Sequence, residues 1–194
     1  MRDPARRAGG AVWTGRFSRA EAGLWRGQRW LSVVVCIDAD PAPPAAVRYR
    51  WDADTEILTA SVTDVRGGGW PSTVLTLEAA SGGWVTLELR GGRLCGLEVA
   101  VWPPVRLRAL LRPPRPALTG HARCPAAAGA AEVAVDVELV AERDGGGRTV
   151  RLGVGAPRPA RVARVARDML VEVDDAGALA GVWLLGVPPL PLLA

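Results

Sequence analysis

Trp84-Val-Thr-Leu-Glu-Leu-Arg-Gly-Gly-Arg-Leu-Cys-Gly-Leu-Glu-Val-Ala-Val-Trp-Pro-Pro104 has a counterpart later in the chain, Met169-Leu-Val-Glu-Val-Asp-Asp-Ala-Gly-Ala-Leu-Ala-Gly-Val-Trp-Leu-Leu-Gly-Val-Pro-Pro189. Each reads as an alternating strand, a Gly-containing turn, the string Leu-x-Gly-apolar, a second strand and a Pro-Pro stop. Leu94 to Pro104 aligns with Leu179 to Pro189 without a gap, and the turn ahead of it is one residue longer in the second copy. Apolar residues at every second position suit a strand with one buried face, and Gly or Asp between two such runs suits a hairpin.

Working upstream, the stretch from Val47 to Val62 resembles the one from Val137 to Val154: a strand, an acidic turn and a strand. Each module is therefore two hairpins joined by a Pro-containing crossover, Gly67-Gly-Gly-Trp-Pro71 in the first and Ala156-Pro-Arg-Pro159 in the second. The expected fold is mainly β, with two duplicated four-stranded antiparallel modules packed as a barrel or sandwich. The modules span residues 39–104 and 132–194 and form one domain, with an irregular Pro-rich linker over 105–131. Residues 1–38 carry a short helix, opened by the capping box Ser18-Arg-Ala-Glu21, and the apolar strand Leu31–Ile37.

The pair Asp52-x-Asp54 before an Ile-Leu strand, followed by Gly92-Arg-Leu-Cys-Gly-Leu-Glu-Val99, resembles a widespread family of short, uncharacterised bacterial β domains. That family shows an Asp-x-x-x-Asp-x-Leu hairpin and then a Gly-Arg-Leu-x-Gly-Ile-Glu-Ile hairpin. The second copy is similar through Val171 to Trp183. It departs where Trp183 stands for the family's Glu and Gly145-Gly-Gly147 for its acidic pair. The resemblance implies a tandem β fold and carries no activity with it.

Composition narrows the function classes. All 24 basic residues are Arg, with neither Lys nor Asn present, which reads as the codon bias of a high-GC bacterium. A net charge of +4 gives little electrostatic reason for nucleic acid or an anionic membrane, so neither is expected as a partner. The run Arg161, Arg164 and Arg167 reads as a solvated face beside Val162 and Val165. No apolar run reaches the roughly 20 residues of a membrane helix. Three widely spaced cysteines, Cys36, Cys95 and Cys124, suit buried thiols in a reducing cytoplasm.

Conventional catalytic groups are sparse. The one histidine, His121, lies in the Pro-rich linker, and no two cysteines are close, so no metal or cofactor is expected. The acidic residues of the hairpins, Asp52, Asp54, Asp174 and Asp175, read as turn formers. Tryptophan is the compositional excess: eight, against one Tyr and one Phe. A Trp brings a large flat surface and one N–H donor, which suits a core or an apolar ligand site.

These readings predict a β-barrel pocket that binds an apolar small molecule. Trp51, Trp84, Trp102 and Trp183 are its expected lining, with Tyr49 and Glu98 as polar groups. Glu98 is the candidate catalytic carboxylate because it shares its strand parity with Trp183. Such a pocket is similar in architecture to the cofactor-free β-barrel cyclases of polyketide pathways, where orientation drives the chemistry. The alternative is a non-catalytic interaction protein that forms a homodimer or binds a protein partner through strand edges and its apolar C-terminal stretch.

Overall fold

The computed structural model describes residues 32–63, 71–127 and 131–191. The expected N-terminal helix lies outside these residues, as do Trp13, Trp25, Trp30 and Trp70. The described chain is mainly β, its strands forming one curled, half-barrel sheet. No helix among the described residues is long and apolar enough to cross a membrane.

In chain order the strands are β1 (Cys36–Ala39), β2 (Val47–Asp52), β3 (Ile57–Val62), β4 (Ser72–Glu78), β5 (Trp84–Arg90), β6 (Arg93–Val101) and β7 (Val105–Arg108). They continue as β8 (Leu118–Arg123), β9 (Glu132–Asp136), β10 (Leu139–Asp144), β11 (Thr149–Val154), β12 (Arg161–Ala166), β13 (Met169–Val173) and β14 (Leu179–Leu185). Five strands go beyond those expected from the sequence: β4, β7, β8, β9 and β12. β4 and β12 give each half five strands where four were expected, and β7 and β8 occupy the stretch read as an irregular linker. Leu118-Thr-Gly-His-Ala-Arg123 is free of proline and can join a ladder; the prolines crowd the stretch before it.

Both halves use one plan. In the first, β2 pairs β3, β3 pairs β6, β6 pairs β5 and β5 pairs β4, all antiparallel. In the second, β10, β11, β14, β13 and β12 follow in the same order and sense. The registers correspond: Gly96 stands between Ser61 and Glu88, and Gly181 between Gly153 and Glu172. A register shift follows Glu88 in one half and Glu172 in the other. Parallel strands extend both halves, β9 on β4 in the first, and β8 on β12 and β7 on β10 in the second. The two halves join where Arg93 of β6 meets Arg123 of β8, and the strand path ends at β7 and β9.

The core follows from the alternation. Leu58, Ala60, Leu75, Leu77, Val85, Leu87, Leu97 and Val99 pack in one continuous cluster with Leu152, Val171, Val182 and Leu184. Side chains of the first half thus share their dry interior with those of the second. Val33 and Val35 enter the same cluster, while Val34, Cys36 and Ile37 are half-buried, so the apolar run is buried on one side and partly covered on the other. Asp side chains organise the hairpin turns as expected: Asp52 Oδ1 accepts the Asp54 N–H at 3.1 Å and Asp144 Oδ1 that of Thr149 at 3.1 Å. Asp174 Oδ1 takes two, from Ala176 at 2.9 Å and Ala178 at 2.8 Å.

Candidate functional site

Tyr49 and Trp51 lie on the core side of β2, opposite Ala60 and Leu58. The Trp51 ring stacks on Trp102, centroids 5.8 Å apart at 25°, and the Arg143 guanidinium sits 5.5 Å from the Trp102 centroid. Both indole donors are used by the fold itself. Trp51 Nε1 donates to the Pro188 carbonyl at 2.8 Å, and Trp102 Nε1 to that of Glu56 at 2.9 Å. The Tyr49 hydroxyl lies 3.0 Å from the carbonyls of both Asp168 and Leu185. Burial, then the nearby Asp168 carboxylate, pushes the phenol's pKa up, so it remains a donor. Tyr49, Trp51 and Trp102 therefore clasp β2 to the end of the second half.

The other candidates stand on the opposite face. Trp84 is 45% exposed on β5, and Glu98 is half-buried with the Thr59 hydroxyl donating to it at 3.3 Å. Trp183 matches Glu98 in register, and both face away from the core positions Leu97, Val99, Val182 and Leu184. Yet Trp183 is only 5% exposed, because charged groups close over it. Its Nε1 donates to Glu172 Oε1 at 2.7 Å, and the Arg151 guanidinium stands 5.8 Å from its ring. Arg151 grips Glu172 through Nε at 3.1 Å and a second nitrogen at 2.6 Å, and reaches Glu142 at 3.2 Å. Arg108 completes the row, its Nε 2.8 Å from Glu142. Burial alone would raise the Glu142 pKa; the hydrogen bonds and charges of Arg108 and Arg151 outweigh it and hold the carboxyl below its ordinary value.

Two hollows lie elsewhere. The first, of about 130 Å³, is walled by Val34, Val35, Ile37, Leu118, Val162 and Val173, with Arg161 and Asp175 at 3.4 Å from each other on its lining. The second, of about 430 Å³, lies between the β1–β2 connection, the start of β6, β8 and β12. In it His121 Nε2 meets Asp40 Oδ2 at 2.7 Å. The expected Trp set, Tyr49 and Glu98 line neither hollow.

Sequence reasoning missed the Asp40–His121 pair, since nothing local joins residues so far apart. The signal was present in two strand patterns: Cys36–Ala39 runs antiparallel to Leu118–Arg123, with Ala39 against Gly120, and the Asp40 N–H continues the ladder to the Thr119 carbonyl at 3.1 Å. No protein-family model and no curated protein matches the chain.

Proposed function

We propose that the chain is a binding protein for a small apolar molecule, seated in the hollow between β1, β12 and the β13–β14 turn. The observation that carries this reading is the lining: hydrocarbon from Val34, Val35, Ile37, Leu118, Val162 and Val173, with one cation and one carboxylate already paired with each other. A volume of about 130 Å³ suits a ligand near the size of benzene, which fills an apolar cavity of roughly 150 Å³. The tryptophans support this site from a distance by fixing the two halves together. Any cyclisation of the guest would rest on orientation within the hollow.

The shared strand order and register support descent of the two halves from one unit. They also favour kinship with the bacterial β domains resembled by Asp52, Asp54 and Gly92 to Val99. The three unbridged cysteines suit a reducing compartment.

A thermal-shift titration with toluene, indole and cyclohexanol tests the site. A ligand that binds only the folded state raises Tm by mass action. Ala163 lines the hollow and is buried, so Ala163→Leu fills it. That variant is expected to fold and to lose the ligand-induced rise. A rise that survives Ala163→Leu places binding elsewhere.

A second reading has its own observation. β7 ends the strand path and is exposed throughout, its Leu107 to 77%, and Leu110 just past its end is 68% exposed. Such an edge invites pairing with a second copy. Light scattering across a hundredfold range of concentration, with Leu107→Arg as control, separates a homodimer from a monomer.

A further inference from the structure

The larger cleft holds the chain's one histidine in a fixed orientation. Its floor is β8, and its walls are Pro43, Pro44, Val165 and the side chain of Arg93. Gly120 sets the geometry. A Cβ there would stand 2.2 Å from the Asp38 carbonyl oxygen and 2.9 Å from Ala39 Cα, so only glycine lets β1 lie this close to β8. That approach delivers Asp40, the next residue but one after Asp38, to the His121 ring.

Asp40 is fully committed. Oδ1 accepts the Ala42 N–H at 2.8 Å, and Oδ2 lies 2.7 Å from His121 Nε2. The Ala42 N–H lowers the Asp40 pKa most; burial opposes it, and His121 and Arg93 add to the lowering. An ionised Asp40 accepting from Nε2–H orients the ring, and in the imidazolium form Nδ1–H is then a second donor, available to a guest. Arg93, by contrast, forms no side-chain ion pair with the described residues. The cleft thus combines a cation with no ion pair among the described residues, an oriented imidazole and a hydroxyl, Thr119, beside apolar walls.

We propose that this cleft is a second binding site, for a small carboxylate anion. Arg93 supplies the counter-charge, because a guanidinium fork matches a carboxylate in shape. As the imidazolium, His121 donates from Nδ1–H, on a ring that Asp40 holds still through Nε2. Two other charged groups near the imidazole have partners of their own. Asp38, opposite His121 on β1, pairs with Arg123 at 3.4 Å, and Arg164 of β12 donates to the Arg167 carbonyl. Arg93 is therefore the group that a carboxylate would meet.

With a single histidine, NMR of the full-length chain labelled at His reads this site without assignment. Benzoate is the probe; benzamide, equal in shape and uncharged, and chloride are the controls. The expected result is a saturable shift of the His121 ring signals with benzoate, absent with benzamide and chloride. Arg93→Gln is expected to weaken benzoate about tenfold or more while leaving the ligand-free spectrum in place. Ala163→Leu should leave the benzoate response intact, since it closes the other hollow. Four outcomes overturn the proposal: an equal response to benzamide, an equal response to chloride (an adventitious ion only), an affinity unchanged in Arg93→Gln, or no saturable shift in the wild type. Should Arg93→Gln fail to fold, Arg93→Lys takes its place, with weakened but retained binding expected and unchanged affinity counting against the site.

Discussion

Glu172 and Gly181 face each other across β13 and β14 so closely that a methyl group on Gly181 would stand 2.6 Å from Glu172 Oε2. It would also stand 2.9 Å from the Leu152 carbonyl oxygen, which is backbone and cannot swing aside. The matching pair in the first half, Glu88 over Gly96, is looser. There the methyl would meet Glu88 Oε2 at 2.9 Å and the Ala60 carbonyl only at 3.4 Å.

Gly181→Ala is therefore expected to destabilise by about 1–3 kcal/mol, the usual range for an overpacked site. Gly96→Ala should be milder, because the exposed Glu88 tip can turn into solvent. Urea unfolding of both variants checks this. Equal losses would refute the distinction between a backbone neighbour and a side-chain tip.

Removing the indole donor separates its hydrogen bond from its bulk. Trp183→Phe keeps most of the ring and frees Glu172 of one bond, for an expected loss of about 1 kcal/mol. Glu172→Ala leaves the indole N–H and much of the Arg151 guanidinium without a partner. With Arg151 a quarter exposed and still near Glu142, the loss should fall at the low end for a broken buried pair, about 3 kcal/mol. A double-mutant cycle with Arg151→Ala gives the coupling directly. No measurable coupling would mean that the carboxylate orders Trp183 alone.

Acid should weaken the fold in a defined window. Asp174 is held below its ordinary pKa: burial would raise it, but the N–H of Ala178, the guanidinium of Arg158 and the N–H of Ala176 outweigh that. Glu142 and Asp40 are lowered as well. A carboxyl with a lower pKa folded than unfolded adds stability that is complete above the unfolded value, near pH 4, and lost as pH falls through the folded one. Urea midpoints should stay level from pH 7 to 5 as far as these groups are concerned, then drop toward pH 3. Asp174→Asn should lower stability at pH 7 and flatten that drop; a drop of undiminished size would assign it to other groups.

The thiols should differ in reactivity. Burial, with the nearby Cys36 adding, pushes the Cys124 pKa up to about 12, and burial raises Cys95 too. Cys36 is also raised, by burial and then Asp38, with Arg123 opposing, but it is the most open of the three. A disulfide reagent at pH 8 should modify Cys36 first and reach Cys124 only on unfolding. Rapid native modification of Cys124 would contradict its burial.

The parts of this structure that sequence reveals are local. Asp52, Asp144 and Asp174 mark their turns because an Asx hydrogen bond spans only two to five residues. The Leu-x-Gly string fixes a register because a one-residue slip would turn Leu97 and Val182 out of the core. Parallel partners leave no such mark: Val74 to Glu78 gives no hint that Glu132 to Asp136 will lie beside it. The contacts of the tryptophans were not legible for a different reason. Composition counts rings but not what each N–H reaches, and here carbonyls of Pro188 and Glu56 and the Glu172 carboxylate take them. Asp40 and His121 stayed hidden because their meeting depends on Gly120 permitting a close crossing.

β9 lies between β8 and the second half in sequence, yet it completes the edge of β4 in the first half, while β8 completes β12. A ribosome makes these strands in order. When residues 47–101 have emerged, the edge of Ser72–Glu78 has no neighbour and must wait until Asp136 has cleared the exit tunnel. During that interval the nascent chain carries an open apolar edge, the situation in which strands of separate chains pair wrongly. The two halves are thus chained in time: the first cannot seal until the chain has run past β8 to β9, β8 in turn waits for β12, and fragments cut between β8 and β9 would each lack a strand.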